Sequence, residues 1–203
     1  MQNIEAICAP EAESKRRLVL ITGVPGAGKD FLLGKLKDVD SRVGSAFSVF
    51  NFGGLIYERL KSQNSPIASR DQIRDVLTQD EVLTVINSLA MDIINQQPGI
   101  VVSHLAYKQR GSIQINPEMD KMFRFKYYIY IWSPPEEIFL RRLSSGRDRA
   151  VESVDDITIH QRIALGATRT ISSVLGARLI TVYNRTENVN ENVAKIRSVI
   201  EKI

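Results

Sequence analysis

Residues 18–36, LVLITGVPGAGKDFLLGKL, restrict what this chain can fold into more than any other stretch. Gly23, Val24, Pro25, Gly26, Ala27, Gly28 and Lys29 spell G-x-x-x-x-G-K. A short β-branched run, Arg17 to Thr22, precedes them, and Phe31, Leu32, Leu33 and Leu36 follow at helical spacing, so the loop joins a strand to a helix. Glycines let consecutive backbone N–H groups turn inward, the helix start adds its positive dipole end, and Lys29 brings a full charge. Together these make a seat for a polyphosphate tail. One letter departs from the pattern: Asp30 stands where such loops carry Ser or Thr to hold Mg²⁺.

The rest of the chain continues the alternation. Ala46 to Phe52 is a second apolar run that breaks at Gly53-Gly54, and Leu55, Ile56, Tyr57 and Leu60 begin another helix. Ser69-Arg-Asp-Gln72 and Thr78-Gln-Asp-Glu81 have capping-box form and predict two helix starts. The second helix runs to about Gln97 on the stripe Val82, Val85, Ile86, Leu89 and Ile93, and Pro98-Gly99 ends it. Ile100 to His104 is a third strand, followed by a polar loop, and Phe125 to Trp132 a fourth. Ser133-Pro-Pro-Glu136 reads as a cap opening a helix, 144–153 as a flexible loop, and Ser153-Val-Asp-Asp156 as the cap of a long helix that Gly176 stops. Arg178 to Tyr183 makes a fifth strand and Val189 to Ile203 a last helix. This order predicts an α/β fold: a five-stranded parallel sheet with helices on both faces, a three-layer sandwich.

Bulk composition narrows the class. With 203 residues, 43% hydrophobic and 25% charged, the chain has the length of one domain with a real core. Residues 17–203 read as that domain and polar residues 1–16 as a flexible leader. No apolar run reaches the roughly 18 residues a membrane span needs, and the start lacks a signal-peptide segment, so a cytoplasmic protein with no membrane partner is expected. The single cysteine, Cys8, forms no internal disulfide. A formal charge of +4 favours anionic partners, polyphosphate or nucleic acid. No aromatic-studded RNA-binding signature is present, which ranks nucleic acid low. Two histidines and one cysteine make a transition-metal site a poor expectation.

The segments ITGVPGAGK (21–29), FNFGGLIYE (50–58), SRDQIR (69–74), IVVSH (100–104), EEIFLRRLSSGRDR (136–149), His160-Gln161 and LGARLITVYN (175–184) together resemble the archaeal-type adenylate kinases, a branch of the P-loop nucleoside monophosphate kinases. The similarity runs from about Leu18 to the C-terminus. It implies a P-loop fold that moves the terminal phosphoryl of ATP to a nucleoside monophosphate, AMP first, with Mg²⁺ and a closing lid. By the same resemblance the acceptor insertion spans about 53–97 and the lid about 144–153, one residue shorter than in similar kinases.

The resemblance distributes roles over this sequence. The donor site comprises residues 23–30, with Asn184 near adenine. The acceptor site takes in Asn51, Phe52, Gly53, Gly54, Ser103 and His104, with Arg70 and Arg74 as its phosphate clamp. Arg142 lies at the lid's base, and Arg147 and Arg149 cover the phosphates. Arginine suits phosphoryl transfer because its planar fork binds phosphate oxygens bidentately and stays charged. Plainer readings stand beside these: solvated surface arginines, i,i+4 partners for nearby acids, a satisfied structural histidine, a turn asparagine. Similar kinases carry Asp where this chain has Val102, and Asp30 is expected to compensate as the Mg²⁺ ligand; otherwise it is a first-turn carboxylate favoured by the helix dipole. Gly-Lys-Asp also occurs in phage-type deoxynucleotide kinases, which keeps a deoxynucleotide or other small phosphate acceptor as the alternative substrate. A nucleotide-gated RNA- or protein-binding ATPase is the alternative of another class. A homo-oligomer is compatible with everything above.

Overall fold

The computed structural model describes residues 17–63, 65, 67, 69, 72, 73, 77–96, 98–109, 111–115, 118–145 and 152–203; the expected leader 1–16 lies outside them. Strand β1 (Leu18–Thr22) is buried at every position, as a central parallel strand covered on both faces must be. It is flanked by β3 (Gly99–Val102) and β6 (Tyr127–Trp132), with β2 (Ser48–Asn51) and β7 (Arg178–Tyr183) at the edges, all parallel, in the order β2-β3-β1-β6-β7. The loop after β1 therefore opens at the carboxyl edge where strand order reverses, the place open α/β sheets keep for ligands.

Helices fill both faces. On one side α1 (Lys29–Val39) and α7 (Val189–Ile200) bring Leu32, Leu36, Ile196 and Ile200 against Val19, Ile21, Ile100 and Ile129. On the other, α2 (Phe52–Ser62) and α3 (Gln79–Asn95) bring Ile56, Leu60, Ile86 and Ile93 against Leu18, Leu20, Val101 and Tyr128. Adjacent strand residues alternate between these two cores because strand side chains have period two. A short helix α4 (Glu118–Phe123) packs on α3, and the long α6 (Val154–Val174) packs on β6, β7 and α5 (Pro135–Ser144).

Local signals explain most boundaries. Thr78 and Ser153 each close a full capping box, with Glu81 and Asp156, and Gly176, at φ 65, ends the turn after α6. Three expectations change. The helix after β2 starts at Phe52, so Gly53 and Gly54 sit inside its first turn and Asn51 is its cap, accepting from the Gly54 N–H at 3.3 Å. The segment expected as a polar loop contains a hairpin, β4 (Ala106–Gln109) and β5 (Ser112–Ile115), antiparallel and outside the main sheet. Ser133 does not cap α5: Pro134 holds that position, and the Ser133 hydroxyl is bonded elsewhere. The Ser69–Gln72 box includes residues outside the described set.

Candidate active site

The glycine loop, residues 23–28, lies between β1 and α1, and its shape depends on positions that cannot carry a side chain. Gly23 has φ 143, and a Cβ there would lie 2.5 Å from the Ile131 carbonyl oxygen. Gly28, at φ 91, is the α1 cap, and a Cβ would overlap the Asn184 amide nitrogen. Lys29, 7% exposed, folds its ammonium over the loop, donating to the carbonyls of Gly23 at 2.9 Å and Val24 at 3.1 Å. A loop filled by glycine where a Cβ would intrude, with an ammonium over it, suits a triphosphate tail.

His104, two residues past β3, reaches the loop from the end of that strand. Its Nδ1 lies 2.7 Å from the Gly23 carbonyl and 3.2 Å from the Lys29 ammonium. A carbonyl only accepts, so the shorter contact assigns the proton to Nδ1, which then donates to Gly23 and stands beside the lysine without accepting from it. Ser103 donates its backbone N–H to Ile21 at 3.2 Å, which ties this turn to the end of β1.

Asp30 is exposed in the first turn of α1, and the Asn51 amide donates to its Oδ1 at 3.3 Å. One asparagine thus caps α2 and orients the carboxylate beside the loop. Oxygen donors in a solvated setting fit Mg²⁺, which keeps its waters and takes one or two carboxylates together with substrate phosphates. Among the described residues no group of three or more His, Cys, Asp or Glu is placed to hold a metal ion, so any Mg²⁺ would rely mostly on nucleotide oxygens and water.

Arg142 faces the loop from its outer side. Its Nε and one terminal nitrogen donate to the Pro25 carbonyl at 2.9 and 2.7 Å, and the other terminal nitrogen pairs with Glu152. Lys108 of β4 reaches the same carboxylate at 3.2 Å. Glu152 is 9% exposed; burial works to raise its carboxyl, but Arg142 and Lys108 outweigh it and hold it below the usual range. A few residues on, burial lowers His160, whose Nε2 lies 3.2 Å from the Ala106 carbonyl, the geometry of a neutral ring donating to the hairpin. Loop, helix α5, hairpin and the start of α6 are thereby joined.

Asn184 is buried beneath the loop, donating to the Ala27 carbonyl at 2.9 Å. Phe52 is also buried, edge-to-face on Phe123 with centroids 5.7 Å apart, so its side chain belongs to the core. Gly53 and Gly54 start α2 beside Asn51. The structure thus gathers residues 23–30, Asn51, Ser103, His104, Arg142 and Asn184 around one loop. Arg70, Arg74, Arg147 and Arg149 lie outside the described residues. Sequence reasoning does not place Glu152 or Ser133 at the loop: Glu152 lies in a segment without periodicity, and Ser133 reads as a helix cap.

A family profile described as AAA domain matches residues 22–158. Two curated relatives named adenylate kinase, from Methanococcus aeolicus and Methanothermobacter thermautotrophicus, are each 26% identical; they cover 92% and 91% of this chain and 98% and 100% of their own length. Among solved structures, a shikimate kinase from Acinetobacter baumannii in complex with shikimate superposes with a TM-score of 0.56 at 13% identity, over 95% of this chain and 97% of its own. TT1252 from Thermus thermophilus does so with a TM-score of 0.53 at 14% identity, over 92% and 97%. At such identities the structural likeness concerns the fold.

Proposed function

The chain belongs to the AAA domain family, and we propose that it is an ATP-dependent nucleoside monophosphate kinase that transfers the terminal phosphoryl group of ATP to AMP. One observation carries the reading: the Lys29 ammonium of the donor loop stands 3.2 Å from His104 Nδ1 at the end of the acceptor-side strand. Transfer between two bound nucleotides needs their sites to touch, because positioning supplies most of the catalysis.

The chemistry asks little covalent work of the protein. An AMP phosphate oxygen, already ionised near neutral pH, attacks the terminal phosphorus of ATP; the bond to the bridging oxygen breaks, and two ADP molecules form. No proton has to be removed from the nucleophile, so the step needs no general base. The loop amides bind the donor's phosphates, and Lys29, with three donors, can turn from the Gly23 and Val24 carbonyls to those oxygens. His104 fixes the Gly23 carbonyl, and Arg142 fixes that of Pro25. Asp30, oriented by Asn51, would hold Mg²⁺ directly or through water, and the ion when bound supplies charge neutralisation on the phosphates. Arg70 and Arg74 on the acceptor phosphate, and Arg147 and Arg149 over the transferred group, complete the proposed set.

A panel of ribo- and deoxyribonucleoside monophosphates with ATP and Mg²⁺, scored for diphosphate product, tests the proposal. AMP is expected to be the best acceptor, and a two-headed adenosine polyphosphate should inhibit. Preference for a deoxynucleotide would move the acceptor assignment. ATP hydrolysis that no monophosphate stimulates, with RNA affinity falling steeply with salt, would replace transfer by a binding role.

A further inference from the structure

Ser133 and Gln161 do more for the donor loop than fill the space behind it. Ser133 is 0% and Gln161 2% exposed. The Ser133 hydroxyl lies 2.9 Å from the Ala27 carbonyl and 3.0 Å from that of Asn184, so its one hydrogen is shared between them, while Arg141 donates to it at 3.2 Å. The Ser133 backbone is in turn gripped at two points by one side chain. The Gln161 amide donates to the Ser133 carbonyl at 2.9 Å and accepts from its N–H at 3.3 Å. Gln161 is itself held by the Tyr130 hydroxyl, which donates to its backbone carbonyl at 3.0 Å.

We propose that Ser133 and Gln161 are positioning residues for ATP: they hold the Ala27–Gly28 peptide so that the Gly28 N–H faces the donor's phosphates. Peptide geometry is the reason. The Ala27 carbonyl accepts from two side chains behind the loop, Ser133 and Asn184, which occupies both of its lone pairs. In a planar trans peptide the N–H points opposite the C=O, so a carbonyl held against the back of the loop presents the next N–H to the front. Gly28, at φ 91 and ψ 20, has the freedom to rotate that plane, and the two hydrogen bonds restrain it. A hydroxyl, a carboxamide and a phenol buried together carry a desolvation cost that apolar side chains of the same shape would avoid. Their directional bonds set an orientation that apolar packing would leave undetermined.

The inference rests on the loop's reading as the ATP site, and its test separates the two. ATP affinity is measured by titration calorimetry without acceptor, and the Michaelis constants for ATP and AMP under turnover. The variants are Ser133→Ala, Ser133→Thr, Gln161→Met and Tyr130→Phe, each with its thermal midpoint. Loss of one preoriented donor should weaken ATP at least about tenfold in Ser133→Ala and Gln161→Met, with the AMP constant unchanged within about twofold. Ser133→Thr, which returns a hydroxyl, should recover most of the loss. Tyr130→Phe removes one buried oxygen without opening a cavity, is the least able to unfold the chain, and should weaken ATP by about two- to threefold. Lower thermal midpoints with unchanged ATP affinity, or equal loss of ATP and AMP affinity, would overturn the assignment. If the unaltered chain binds no ATP, the donor-site reading falls and the assignment with it; if it binds ATP and the folded variants bind equally well, the assignment alone falls.

Discussion

A Cβ on Gly23 would sit 2.5 Å from the Ile131 carbonyl oxygen, a backbone atom of a central strand that cannot move aside, at a φ of 143 that L side chains rarely adopt. Gly23→Ala should therefore destabilise the fold by about 2 kcal/mol or more and reduce ATP affinity below detection, checked by urea unfolding and calorimetry on the same sample. Asp30 makes a chemical prediction instead. Asp30→Asn keeps a partner for Asn51 but removes the anionic oxygen, and the Mg²⁺ concentration for half-maximal turnover should rise about tenfold or more. An unchanged Mg²⁺ requirement would leave Asp30 as a carboxylate that only favours the start of α1. At this scale the sequence revealed the glycines and Asp30, because loop letters carry their own chemistry. It could not reveal that Asn51 bonds to Asp30 across 21 residues, or that Ser133 turns away from its helix to the Ala27 carbonyl. Contacts between distant residues leave no local pattern.

Helices with an apolar stripe and a capping box, such as α3 and α6, were legible from periodicity and end chemistry. The β4–β5 hairpin was not. Its strands are four residues each, β5 is exposed at three of its four positions, and neither joins the main sheet, so no alternation announces them. Tertiary ties hold the hairpin in place: Lys108 on Glu152 and His160 on the Ala106 carbonyl. Glu152 is the joint between hairpin, α5 and loop. Glu152→Gln should cost on the order of 3 kcal/mol, since it leaves Arg142 facing a neutral group in a buried setting. The effect depends on pH with a definite sign. The folded carboxyl is held below its ordinary 4.5, so its contribution is present above that value and is lost as pH falls through the lowered folded value. Urea unfolding at about pH 7 and at successive pH values below the ordinary 4.5 should show the two proteins converging as that contribution fades.

The main sheet follows from a small set of rules: parallel strands joined by helices, and a loop at the point where strand order reverses. That is why the five strands of the main sheet and its layers could be read from the chain, whereas the hairpin and the pairing of distant polar groups in the interior could not. One such group gives the molecule an alkaline weakness. Asp120, on α4, is 0% exposed, with the Tyr128 hydroxyl beside its carboxyl. Burial pushes its carboxyl up to about 7, opposed only in part by the Tyr128 hydroxyl and its own backbone amide. In the unfolded chain the same carboxyl ionises near its ordinary 3.8. Folding must then keep a proton that the unfolded chain gives up, so stability is full below that value, falls as pH rises toward 7, and levels off beyond. Glu152 pulls the other way in acid, and the two together predict a stability optimum on the acid side of neutrality. Asp120→Asn replaces the acid with a neutral amide of the same shape, so it should leave stability near pH 4 unchanged and raise it at pH 8. Each tenfold change in a protonation equilibrium is worth about 1.4 kcal/mol, so a carboxyl raised from 3.8 to about 7 sets a ceiling of about 4 kcal/mol on that gain. Urea unfolding of both proteins across this range checks it: parallel stability curves would mean that Asp120 ionises in the folded chain much as it does in water.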